Sequence, residues 1–158
     1  MALRLALLIL LIAGTGAAQA QRANPMVPPN WVQEERDSPT EPLRYSSPDG
    51  TAWLTLHAGP AEQRPKVGPA GEGERVTYLR KTKRFVAVSG FKGDRIFYRK
   101  SNLACQGTRW HHIALEYPAE DKRKMDALVT RVALGMNRFD NDCKGPANAT
   151  SGGLVRGR

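Results

Sequence analysis

The sequence predicts an α+β fold, an antiparallel sheet of about five to six strands packed against one long C-terminal helix. Three observations predict it. Several short runs alternate apolar and polar residues with a period of two, and turn residues separate them. A single apolar stripe at helical spacing follows the last of these runs. The order, strands first and then one helix, suits a two-layer sandwich in which the stripe covers one face of the sheet.

Residues 1–20 read as a secretory signal peptide. Arg4 supplies the positive charge, Leu5 to Ala13 the apolar core, and Ala18-Gln19-Ala20 a small-x-small cleavage site before Gln21. The apolar run is too short for a permanent span, so no transmembrane anchor is expected after cleavage. The expected location is periplasmic or secreted. Losing Arg4 takes the formal net charge from +9 to +8.

Residues 21–42 carry Pro25, Pro28, Pro29, Pro39 and Pro42, which disfavour both ladders and long helices. They are expected to form a Pro-rich arm with Trp31 as its only large anchor. The α+β domain is expected over residues 43–143. Leu43 to Ser46 and Ala52 to Ala58 flank Ser47-Pro48-Asp49-Gly50, a turn with Pro early and Gly late. In the second run Leu54, Leu56 and Ala58 alternate with Trp53, Thr55 and His57. Residues 59–74 hold three Pro and four Gly and predict an exposed flexible loop.

Two hairpins follow. Val76 to Arg80 and Phe85 to Gly90 are joined through Lys81-Thr82-Lys83-Arg84, and Arg95 to Ser101 returns after a turn with Gly93 and Asp94. Arg109 to Tyr117 is the last strand. Pro118 then opens a helix of about 20 residues at its first position. Its stripe is Met125, Leu128, Val129, Val132, Met136 and Phe139, with Glu120 and Asp121 in the first turn and Arg138 in the last. Residues 144–158 are Gly-rich, show no apolar period, and predict a disordered tail.

Only Cys105 and Cys143 are present. In an oxidising compartment such a pair reads as one disulfide, stapling the helix end to the loop before the last strand. The alternative is two free thiols.

Charge is the most informative feature for function. Residues 75–100 hold nine cationic residues and one acidic residue, whereas residues 21–74 are net acidic. Arg80, Lys81, Lys83 and Arg84 cluster at the first hairpin tip, and Lys92, Arg95, Arg99 and Lys100 lie on the adjoining hairpin. These eight are the candidate contacts for an anionic partner: an anionic lipid, a glycan or an acidic protein surface. The alternative is that they keep a sheet edge soluble. Nucleic acid is disfavoured by export.

His111 and His112, as strand neighbours, point to opposite faces and cannot share a metal, and His57 can pair with only one of them. No catalytic, phosphate-binding or dinucleotide fingerprint is present, so no catalytic residue, metal or cofactor is expected. The reading is a small exported binding or accessory protein. The alternatives are an envelope enzyme or enzyme inhibitor with a site near the 59–74 loop, and a structural accessory domain without ligand.

Residues 43–143 resemble the PsbP-like architecture, through Ser47-Pro48-Asp49-Gly50, the hairpin Phe85 to Ser101 and the final helix. The run Ser89 to Tyr98 is also similar to Cys-containing modules at the ends of exported bacterial proteins. The resemblance implies an exported antiparallel sheet backed by a C-terminal helix and roles in binding or assembly. It carries no catalytic residue to this chain.

Overall fold

The computed structural model describes residues 24, 26–65 and 71–143. The expected signal peptide and C-terminal tail lie outside the described residues. Seven strands form one antiparallel sheet: β1 (Val32–Gln33), β2 (Leu43–Ser46), β3 (Trp53–Pro60), β4 (Glu74–Lys81), β5 (Phe85–Lys92), β6 (Arg95–Ala104) and β7 (Arg109–Pro118). Among the described residues one α-helix, α1 (Lys122–Asp142), follows. The mixed α+β class is as expected, but the strand count is seven rather than five to six.

The extra strand is β1, inside the Pro-rich arm. Val32 pairs with Ser46 and Gln33 with Tyr45. Two residues are too few to show a period, and the gap between Pro29 and Pro39 leaves room for this short ladder. Trp31 is not the arm's only anchor either. Met26 is 2 % exposed and joins the core beside Gly135 of α1, where a methyl group would come within 2.9 Å of Met26 Cγ.

The order across the sheet is β1-β2-β3-β7-β6-β5-β4. Consecutive hairpins account for β1-β2-β3 and for β4-β5-β6-β7. The join is non-sequential: β3 pairs with β7 over its whole length, from Trp53 opposite Glu116 to Pro60 opposite Arg109. The connection after β3 therefore runs from the middle of the sheet to its far edge.

The period-two patterns set the two faces. Leu54 and Leu56 of β3, and Ile113, Leu115 and Tyr117 of β7, are buried with Met125, Val132 and Met136 of α1 in one core. Leu128 and Val129 pack against it, as the stripe predicts. At roughly 1.5–3 kcal/mol per fully buried large apolar side chain, this layer is the main source of stability.

The start of α1 differs from expectation. Pro118 ends β7, and a 3-10 turn, Ala119–Asp121, intervenes, so Glu120 and Asp121 precede the α-helix. The proline still stops the ladder, because it has no N–H to donate. The β2–β3 turn is built as its residues suggest. Gly50 N–H donates to the Ser47 carbonyl at 2.8 Å, and Ser47 Oγ donates to Asp49 Oδ1. That bond, with others from Thr51, holds the Asp49 carboxyl down at about 2.

Candidate functional site

The eight candidate cations are divided among three places. Arg80, Lys81, Lys83 and Arg84 lie at the β4–β5 tip, and Lys100 lies two strands away on β6. The tip is fixed by its own hydrogen bonds. Thr82 N–H donates to the Phe85 carbonyl at 2.8 Å, and Arg84 N–H to Thr82 Oγ1 at 3.2 Å. Leu103 N–H donates to the Arg84 carbonyl at 2.7 Å and ties the tip to β6.

Register then puts Arg80, Ala87 and Lys100 in one cross-strand row, with Phe85 opposite Asn102 in the next. Ala87 is small and leaves space between the two cations. The Arg80 guanidinium lies 5.6 Å from the Phe85 ring centroid and the Lys100 ammonium 6.0 Å from it. Lys100 Nζ also donates to the Ala133 carbonyl at 2.9 Å and to Asn137 Oδ1 at 3.1 Å, so α1 forms the far wall. Arg80, Arg84, Phe85, Lys100, Asn102, Leu103 and Asn137 line an open concavity of about 360 Å³. Arg80, Lys81, Lys83 and Arg84 are exposed, and none of the four forms an ion pair among the described residues.

Arg95 and Arg99 point to the helix-free face instead, and both are engaged. Arg95 Nε donates to Glu116 Oε1 at 2.6 Å and its Nη2 to the Thr51 carbonyl at 2.8 Å, with its guanidinium 4.3 Å from the Trp53 ring centroid. Arg44 stacks on the same ring at 5.1 Å. Arg99 makes a bidentate pair with Glu74, at 2.9 and 2.6 Å, while lying 4.6 Å from the Phe97 ring centroid. Its hydrogen bonds hold the Glu74 carboxyl below its usual range. These guanidinium planes cover Trp53 and Phe97 on the face where no described helix packs. Lys92, opposite Glu74 in register, is exposed at the other end of the hairpin.

A second group lies on that face, where His57 pairs with one of the two neighbouring histidines as the sequence allowed. His57 and His112 are opposite in register and stack at 5.7 Å, while His111 points to the core. Ser101 Oγ and His112 Nδ1 are hydrogen-bonded at 2.8 Å. The first residues of the loop after β3 cap this group: Trp110 Nε1 donates to the Ala61 carbonyl at 3.0 Å. Burial, then the neighbouring His57 and His111, lowers the His112 imidazole to about 4, and burial lowers His57 as well. Both rings are therefore neutral at pH 7. The alternation that opposes Trp53, Thr55 and His57 to the leucines was the available signal, but only the β3–β7 register brings the rings together. Among the described residues no three His, Cys, Asp or Glu side chains form a group able to hold a metal.

The two cysteines, 38 positions apart, come within 2.7 Å of each other without being bonded. Cys105 is buried and Cys143 exposed.

No family model matches this chain, and no curated protein matches it. Among the described residues no helix is long and apolar enough to cross a membrane.

Proposed function

We propose that this chain is an exported binding or accessory protein, periplasmic or secreted, that holds phosphate-bearing head groups of an anionic lipid surface at the β4–β5 tip. What supports the reading is one arrangement: Arg80 and Lys100 lie over the Phe85 ring, Arg84, Asn102 and Asn137 line the same concavity, and no described carboxylate pairs with the two arginines. Cations held together repel one another, and an anion in the concavity relieves that repulsion. Two arginines offer forked donors matched to phosphate oxygens. Lys81 and Lys83 extend the positive field toward a surface. The PsbP-like resemblance of residues 43–143 belongs to this proposal, since it implies binding and assembly roles.

The test is co-sedimentation with phosphatidylglycerol vesicles, phosphatidylcholine vesicles and a soluble acidic polysaccharide. Binding to the phosphatidylglycerol vesicles alone, weakening as salt rises, is expected. Reversing Lys81, Lys83 and Arg84 to Glu should abolish it. Binding unchanged by reversal sinks the proposal, and preference for the polysaccharide transfers the site to a glycan.

A second reading, an enzyme near the 59–74 loop, has the Ser101–His112 hydrogen bond in its favour. A histidine lowered to about 4 is a weak general base at neutral pH. Covalent labelling of Ser101 by a fluorophosphonate probe would decide for it.

A further inference from the structure

We propose that Cys105 and Cys143 form a disulfide, and that this bond is a latch holding the helix wall of the basic pocket in place. The effect on the pocket rests on the anion-binding reading; the bond itself does not.

The cysteines sit at two chain ends that the pocket needs. Cys105 opens the 3-10 turn after β6, three residues past Asn102. Cys143 is the first residue past α1, six positions beyond Asn137. Asn102 Nδ2 donates to Asn137 Oδ1 at 3.2 Å, and Lys100 reaches the same oxygen. A bond between residues 105 and 143 therefore ties together the ends of the two elements that form the pocket's walls.

The backbone is arranged for it. Cys143 has φ 49°, the left-handed conformation that ends a helix. Cys105, Gln106 and Gly107 are all left-handed, at φ 49°, 58° and 93°. Two consecutive non-glycine residues in that region cost energy and persist only where the surroundings hold them. The outcome of both reversals is an approach to 2.7 Å, and a disulfide requires closing to about 2.05 Å.

The bond forms by exchange with a small-molecule or protein disulfide. Cys143 is the exposed partner and reacts first. Its thiolate attacks the incoming disulfide, forming a mixed disulfide and expelling one thiol. The Cys105 thiolate then attacks the Cys143 sulfur and expels the second thiol. The two cysteine thiols are oxidised, the incoming disulfide is reduced to two thiols, and the two cysteine protons end on those thiols.

The experiment equilibrates the full chain in glutathione disulfide and glutathione, quenches with iodoacetamide in denaturant, and reads intact mass. The expected product carries no tag and gains two after reduction. Two tags before reduction, or only glutathione adducts, overturns the bond. Cys105→Ser should trap glutathione at Cys143, whereas Cys143→Ser should react at least tenfold more slowly because its remaining thiol is buried. Oxidised and reduced protein are then compared on phosphatidylglycerol vesicles, with oxidised protein binding several-fold more tightly. Equal binding, still abolished by the Lys81, Lys83 and Arg84 reversal, overturns the latch and leaves the anion reading standing. No binding in either state overturns the anion reading and the latch together, while the mass result alone decides the bond.

Discussion

Acid should destabilise this protein as pH falls below about 6.5, and His112 should be the cause. The ring is half-buried on the helix-free face between β3 and β6, hydrogen-bonded to Ser101 and stacked on His57. Its folded value is about 4 against 6.5 for the free side chain, so the unfolded chain takes up the proton first. Stability from the neutral ring is complete above about 6.5 and is lost as pH falls toward 4. Integrating that difference from pH 7 to pH 5 gives a loss of about 2 kcal/mol. Burial lowers His57 too and adds in the same direction. Glu74 is held below its usual range and Asp49 at about 2, so both stay ionised across this window. Urea unfolding at the two pH values measures the loss. His112→Gln keeps a hydrogen-bonding group for Ser101 but cannot titrate, so most of the pH dependence should vanish. An equal loss in both proteins would refute the assignment.

Three further outcomes follow from packing. A methyl group on Gly90 of β5 would land on the Arg75 carbonyl beside the register shift between Val76 and Tyr78. Gly90→Ala should therefore cost about 1–3 kcal/mol by displacing β4, read as a lower urea midpoint, and an unchanged midpoint counts against the close approach. Met26→Ala should cost about 2–4 kcal/mol, because the side chain is 2 % exposed in the core. Gly135→Ala should gain close to the ordinary helix preference of about 1 kcal/mol only when Met26 is already Ala, and a double-mutant cycle without coupling would refute that contact.

The parts legible in the sequence are those encoded by local period. Leu54, Leu56 and the Met125 to Met136 stripe declare which face is buried, and Ser47 to Gly50 declares its turn. Partner choice is a different kind of information. Nothing in the runs Trp53 to Pro60 and Arg109 to Pro118 says that they lie side by side, because the pairing is made by backbone groups common to every strand. The candidate site shows the same division. The density of cations at residues 75–100 was plain, but their roles depend on register. Arg80 and Lys100 face the helix side across Ala87, while Arg95 and Arg99 turn to the other face and meet Glu116 and Glu74. Met26 was hidden among prolines, since a single apolar residue has no period.

The neighbouring of β3 and β7 bears on how the molecule comes into being. A growing polypeptide emerges amino end first, so the three leading ribbons exist long before the one that completes the middle of the sheet. Until residues 109–118 appear, β3 has a bare backbone edge where its permanent neighbour will sit. Closing that distant pairing carries an entropic cost that local hairpins avoid, and it slows the search. Fragments ending before residue 109 should therefore remain adhesive and unstructured in their first half, and the finished fold should arise in one late, cooperative event.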